Sequence, residues 1–376
     1  MLFIAALESD CEMKKILILS RRMDIGGVEI SLLNLLKSFD YSKFDVTLLL
    51  QEKKGVLLEK IPREVSIKEM HFKRKEYLKL VQLDVHLALF KELKFKILAA
   101  KCKHASGDNP FFYKALDYCT ADLEEYDVAI DYHGYGYFTT IFMVNKVKAK
   151  KYATFIHDDK IDWMENLRSI RQKIDYYFCV SKACESRIKE KYPDLSNKTK
   201  LFYNIVDINK IKHLSEEPQT DIANDTENVL VTVGRLEWQK GYDFLLEVAE
   251  LLKKHIDYCW YIIGNGSWME RLRKNIKVKG LTHHVFLLGA KENPYPYIKR
   301  ADVYVQTSRH EGYGLAVCEA RILCKPIVST DLPCIREQII NGVNGYLGEF
   351  VDTEFAKLLY KLLSFTNLLK HLANPL

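Results

Sequence analysis

Short apolar runs, each closed by glycine or polar residues, alternate along the chain with stretches whose apolar positions return every three or four residues. Ile16–Leu19 is apolar, Gly26-Gly27 interrupts, Ile30–Leu36 repeats at helical spacing, and Phe44–Leu50 is apolar again, which predicts a β-α-β unit. Strands are also predicted at Tyr126–Tyr132, Tyr152–His157 and Tyr176–Val180, with helices over Ile161–Arg171 and Lys182–Lys191. From Val229 a second alternating set begins. Its strands are Val229–Val233, Tyr258–Gly264, Val285–Leu288, Val303–Thr307 and Pro326–Ser329. Its helices are Gly241–Lys254, Trp268–Val278, Tyr295–Arg300 and Gly314–Ile322. This order predicts an α/β protein of two doubly wound, Rossmann-like parallel-sheet domains. The turn-rich stretch Lys210–Asn228, with Ser215-Glu216-Glu217-Pro218, reads as a linker between residues 1–209 and 229–376. Ligands of such sheets bind beyond the carboxyl ends of the strands, so the expected site is a cleft between the domains.

With 376 residues, 48% of them hydrophobic, 28% charged, and only 9 Pro and 17 Gly, the chain is neither disordered nor collagenous. The apolar run Met1–Leu7 is far short of the roughly 20 residues that cross a bilayer, lacks a basic flank, and is followed by Glu8, Asp10 and Glu12, which argues against secretion. Met13 reads as the better natural start, with residues 1–12 a non-native one. Nine cysteines without a C-x-x-C pair point to reduced thiols in a cytoplasmic protein and to no structural metal. The net charge of +6 is concentrated in residues 73–103, where nine Lys/Arg stand against three acids. Leu78, Leu80, Val81, Leu87 and Phe90 interleave with those cations. The segment reads either as an amphipathic surface for anionic lipid or as an ordinary helix pair with a solvated lysine face. Without a recognised module, nucleic acid is not expected as a partner.

Two motifs carry chemistry. Gly234-Arg235-Leu236-Glu237-Trp238-Gln239-Lys240-Gly241 follows a strand and opens a helix, so tight glycine turns, free helix N–H groups and two cations gather at one strand end. That is what a pyrophosphate requires, although a plain surface loop with two solvated charges would read the same way. In Glu311-Gly312-Tyr313-Gly314-Leu315-Ala316-Val317-Cys318-Glu319 two carboxylates straddle a strand-to-helix turn. Glu311 lies in the loop and Glu319 more than one turn into the helix, so they can do different work; the alternative is two helix acids without a ligand.

In these residues the chain resembles retaining glycosyltransferases of the GT-B fold, specifically glycosyltransferase family 4. The family's signatures are a Gly-Gly loop after the first strand, a Gly-Arg-x5-Gly loop opening the second domain, and Glu-x7-Glu. Gly26-Gly27, Gly234-Arg235 to Lys240-Gly241, Gly264-Asn265-Gly266, Gly289 and Glu311 to Glu319 follow in the family's order, over residues 14–348. The match is strong over the second domain and weak near 60–125. The resemblance implies that Arg235 and Lys240 grip the donor pyrophosphate, that Glu319 accepts from the ribose hydroxyls, and that Glu311 lies beside the donor sugar. It implies further that the N–H groups of Tyr313, Gly314, Leu315 and Ala316 hold phosphate oxygens, that Gly26-Gly27 approach the same phosphate, and that the base lies near Gly264, Gly289 and Ala290. His157 matches the family histidine that contacts the transferred sugar. The implied catalytic set is Glu311, His157, Arg235 and Lys240. The chain contains no Asp-x-Asp, so the implied activity needs no metal or other cofactor. The expected function is transfer of a hexose from a nucleotide sugar, expected to be UDP-linked, to a glycan or lipid-linked acceptor in surface polysaccharide or glycolipid synthesis, by a cytoplasmic protein that can associate with the inner face of the cell membrane.

Departures temper this picture. Leu332-Pro333-Cys334-Ile335-Arg336-Glu337 fills a loop that is glycine-rich in the family, and a single helix, Thr353–Leu363, precedes the tail, where the family adds further helices. The second domain is therefore expected to be cut short. Two alternatives stay open: a sugar-nucleotide epimerase or phosphorylase on the same fold, and a catalytically silent scaffold subunit. An NAD enzyme is disfavoured, because Gly26-Gly27 does not complete G-x-G-x-x-G. The aromatic run Tyr132, Tyr135, Tyr137, Phe138 reads equally as a sugar-stacking surface and as loop packing.

Overall fold

The computed structural model describes residues 13–73, 110–222 and 227–364. The basic stretch beyond Lys73 and the residues before Met13 lie outside that set. The chain forms two compact units, residues 1–180 with 184–205 and residues 181–183 with 206–376.

The first unit contains β1 (Lys14–Ser20), α1 (Gly27–Lys37), β2 (Phe44–Leu50), β3 (Ser66–Glu69), β4 (His71–Phe72), α2 (Pro110–Leu116), β5 (Cys119–Thr120) and β6 (Glu125–Asp131). α3 (Phe138–Lys146), β7 (Lys148–Ile156), β8 (Tyr176–Cys179), α4 (Lys182–Lys191) and β9 (Thr199–Leu201) follow, the first residues of α4 counting with the second unit. Seven strands make one parallel sheet in the order β3-β2-β1-β6-β7-β8-β9. The central strands are buried on both faces, as covered parallel sheets are, so their sequences are near-continuous Ile, Leu and Val.

The second unit contains α5 (Ile208–Leu214), β10 (Val229–Val233), α6 (Tyr242–Leu252), β11 (Cys259–Ile263), α7 (Met269–Val278), β12 (Val285–Gly289) and α8 (Tyr295–Arg300). It continues with β13 (Val303–Gln306), α9 (Leu315–Ile322), β14 (Ile327–Thr330), β15 (Tyr346–Gly348) and α10 (Asp352–Ser364). Its sheet runs β12-β11-β10-β13-β14-β15, a doubly wound order that reverses direction between β10 and β13. One apolar layer gathers α6, α7 and α10 around Trp260, Phe244 and Phe355; the other gathers α5, α8 and α9 around Tyr261, Tyr304 and Ile335.

Two expectations need correction. Residues 210–228 are not a bare linker: α5 occupies part of them, Ile211 and Ile222 are buried in the second unit's core, and the change of unit falls at residue 206. Turn-forming residues surround these isoleucines, so the stretch has no visible period although two side chains anchor it. Ile161–Arg171 is also not an α-helix but two 3₁₀ turns, Asp162–Leu167 and Arg171–Lys173. Ile161, Met164, Leu167 and Ile170 are all buried, and their spacing of three is the period of a 3₁₀ helix rather than of an α-helix.

Candidate functional site

At the carboxyl end of the second sheet, Gly234 and Gly264 follow β10 and β11, and Gly289 is the last residue of the adjacent β12. The Gly234 N–H donates to the Ile263 carbonyl at 2.9 Å, and the Gly264 N–H to the Gly289 carbonyl at 2.8 Å. A Cβ on Gly264 would lie 1.9 Å from the Gly234 carbonyl oxygen, and φ there is +154°, so only glycine lets the loops close up side by side. Gly289 has open space where a Cβ would stand, and Ala290 beyond it is exposed. Gly241 has φ +66° and would place a Cβ 2.0 Å from the Thr307 carbonyl oxygen, which seats the loop after β10 against the loop after β13. These loops flank the point where strand order reverses, the usual place for a ligand in a doubly wound sheet.

Lys240 and Glu311 meet there. Lys240 Nζ lies 2.5 Å from Glu311 Oε1, with both side chains largely buried. The same oxygen accepts from Gln306 Nε2 at 2.8 Å and Ser308 Oγ at 2.6 Å. Gln306 is held in turn by the Tyr304 hydroxyl, which donates to its Oε1 at 2.8 Å. Three donors converge on one carboxylate oxygen, and Oε2 has no partner among the described residues. The Tyr242 hydroxyl donates to the Gly234 carbonyl at 2.9 Å, tying the first glycine to helix α6. Arg235 is exposed, without an ion pair among the described residues; the Glu237 carboxyl is held below its ordinary range chiefly by the Ser267 N–H, then by the Ser267 hydroxyl and the charge of Arg235, against the opposing effect of burial.

Glu319 lies on the buried face of α9. Burial pushes its carboxyl up to about 7, opposed by the Tyr295 hydroxyl, which donates to Oε1 at 3.1 Å. Upstream, Gly314 turns the chain with φ +81°, and the N–H groups of Leu315 and Ala316 have no acceptor among the described residues. Tyr313 contributes its carbonyl to Gln338 Nε2. The second unit thus brings together Gly234, Lys240, Gly241, Gly264, Gly289 and Glu311.

In the first unit, Gly26 caps α1 in extended conformation and Gly27 begins it. His157 follows β7 and is buried. Its Nε2 lies 2.6 Å from the Tyr132 carbonyl oxygen, and burial lowers its imidazole to about 4 against the opposing pull of that bond and of Asp158. A carbonyl only accepts, so Nε2 carries the proton and the neutral ring keeps a lone pair on Nδ1. Asp131, at the end of β6, is fully buried; burial raises its carboxyl to about 6, while Thr140 and Thr154 donate to Oδ2 at 2.5 and 3.3 Å.

Sequence reasoning missed Gln306 and Ser308 on Glu311, Tyr295 on Glu319, and Tyr242 on Gly234. A signal existed for the first pair: Gln306 and Ser308 are polar residues directly after the apolar run Val303–Val305, at the carboxyl end of a central strand.

Residues 215–374 match the model of the family described as glycosyl transferases group 1. An uncharacterized glycosyltransferase of Methanocaldococcus jannaschii is 34% identical over 149 residues, 38% of this chain and 36% of that protein. A poly(ribitol-phosphate) alpha-N-acetylglucosaminyltransferase of Staphylococcus aureus is 36% identical over 126 residues, 33% of this chain and 26% of the relative. The matched stretch therefore spans less than two fifths of either relative's length. Among solved structures, Anabaena Alr3699/HepE in complex with UDP and glucose superposes with a TM-score of 0.69 at 18% identity, covering 96% of this chain and 93% of the other. The chain has the GT-B fold of two Rossmann-like domains. No helix among the described residues is long and apolar enough to cross a membrane.

Proposed function

We propose that this protein is a retaining, metal-independent glycosyltransferase of family 4. It would move a hexose from a UDP-sugar to a glycan or lipid-linked acceptor in surface polysaccharide or glycolipid synthesis. The observation that carries the reading is the pairing of Lys240 with Glu311 beside the glycine ends of β10, β11 and β12. The match of residues 215–374 to the group 1 family and the surface-polymer activity named for the Staphylococcus relative support it.

In this reading the diphosphate occupies the space beside Gly234, and its charge draws on Lys240 and Arg235. As the bond from the anomeric carbon to the phosphate oxygen breaks, its electron pair stays on the nucleoside diphosphate. Donors already aimed at that charge lower the barrier more than anything else such a site can supply. The acceptor hydroxyl attacks the same face, its oxygen forms the new bond to the anomeric carbon, and its proton passes to the departing phosphate. Glu311, held by Gln306 and Ser308 after Lys240 turns to the phosphate, faces the sugar with Oε2. Glu319 accepts from the ribose, and the neutral His157 offers Nδ1 to a sugar hydroxyl. Residues 73–103, outside the described set beyond Lys73, would lie on anionic lipid at the cytoplasmic face.

The test is nucleotide release from a panel of UDP- and GDP-sugars, with and without a lipid acceptor fraction. Release is expected from a UDP-hexose, rising with acceptor. Lys240→Ala is expected to lower turnover roughly a hundredfold or more at intact folding; a folded variant with normal rates would remove the phosphate clamp.

A further inference from the structure

Beyond the donor-side residues, the first unit carries an aromatic cluster at the carboxyl ends of β1, β6 and β7. The Tyr135 ring centroid lies 5.9 Å from that of Tyr137, 6.0 Å from Trp163 and 6.2 Å from His157. The Arg21 guanidinium stands 5.3 Å from the centre of the Tyr137 ring, and no acid pairs with Arg21 among the described residues. Its neighbour Arg22, by contrast, donates from Nη2 to both carboxylate oxygens of Glu52 at 2.7 Å. Tyr137 is 40% exposed. The Trp163 indole N–H is buried without an acceptor among the described residues, a donor left unsatisfied inside the cluster.

The backbone beneath these rings is unusual. Gly134, Tyr135 and Gly136 have φ of +69°, +62° and +58°, three left-handed residues in succession. Glycine is required at two of them: a Cβ on Gly134 would lie 2.2 Å from the Phe155 carbonyl oxygen, and one on Gly136 would lie 2.9 Å from the Trp163 ring. Tyr135 takes the same conformation with a side chain that disfavours it. A turn that needed only to fold would be served better by glycine at this position, so what Tyr135 contributes is its ring. Such outliers collect at ligand sites.

Resting on the glycosyltransferase reading, we infer that Tyr135 and Tyr137, backed by Trp163 and with Arg21 at the rim, form the seat of a pyranose ring of the acceptor. A pyranose exposes a face of C–H groups that suits the negative face of an aromatic ring, and a rim of hydroxyls that needs polar partners. The cluster offers both, with two phenols and a guanidinium around its ring faces. Arg21 favours acceptors that carry negative charge near that sugar.

Saturation-transfer NMR on the full chain tests this, with methyl α- and β-glycosides of glucose, galactose and N-acetylglucosamine as probes. Saturation is expected to reach the ring C–H protons of at least one glycoside, and to fall at least tenfold in Tyr137→Ala and in Tyr135→Gly while UDP binds as before. Tyr135→Gly, which relieves the left-handed backbone, should melt no lower than Tyr135→Ala. Full saturation transfer in both folded variants would overturn the inference, as would its absence for every glycoside in a protein that binds UDP. Glycosides seated through the tyrosines in a protein that binds no nucleotide sugar would instead overturn the glycosyltransferase reading and leave the sugar seat standing.

Discussion

Glu319→Gln should make the ligand-free protein more stable at alkaline pH while weakening its hold on UDP. The carboxyl is 8% exposed, and burial raises it from an ordinary 4.5 to about 7, with the Tyr295 hydroxyl opposing. Between those values the folded protein binds more protons at this site than the unfolded chain does. Its unfolding free energy therefore falls as pH rises through that window, and the loss is complete above about pH 7. At about 1.4 kcal/mol per pH unit the ionised group costs the fold about 3 kcal/mol. Glutamine has the same shape, keeps an oxygen for Tyr295 and has no proton to lose. Urea unfolding of the two proteins from pH 4.5 to 8 should give curves that diverge as pH rises, the variant ending about 3 kcal/mol more stable. Titration calorimetry should show UDP affinity that weakens in the wild type as pH falls below 7, and is low and flat in the variant. Parallel stability profiles across the whole range would refute the buried-carboxylate argument.

Three further outcomes follow. Transfer activity should survive EDTA, since Lys240 and Arg235 supply the positive charge; complete loss restored by Mn²⁺ would refute this. Gly241→Ala should destabilise the second unit by more than about 2 kcal/mol in urea unfolding, from a left-handed backbone and a collision with the Thr307 carbonyl. Co-sedimentation with liposomes should rise with anionic lipid content and fall when the lysines of residues 73–103 are neutralised; binding that ignores lipid charge would mean that the lysine face is merely solvated.

Where burial is two-sided, the sequence announces the fold. Phe44–Leu50, Val229–Val233 and Tyr295–Arg300 have in the structure the bounds that their apolar patterns predict. Three edge strands were illegible for a physical reason: Ser66–Glu69, Thr199–Leu201 and Tyr346–Gly348 are short and partly solvated, so no apolar run marks them, whereas the edge strand Val285–Gly289 keeps an apolar run that does. Lys240 and Glu311 could be read as chemistry because glycines frame them. Tyr295 could not, since it lies in an element whose apolar pattern already accounts for it, and its hydroxyl matters only through a partner 24 residues away.

The anchoring of one oxygen of Glu311 by Gln306 and Ser308, which remains once Lys240 turns to the phosphate, has a consequence for which sugar is accepted. A carboxylate fastened at Oε1 by neighbours on β13 and its following loop cannot swing to follow a displaced hydroxyl; its remaining oxygen points in one direction. If Glu311 meets the hexose as proposed, epimers that differ at the facing carbon present their hydroxyl axially or equatorially to a fixed acceptor, and only one orientation is matched. Stereochemical choice would then be set by Gln306 and Ser308, which never touch the substrate.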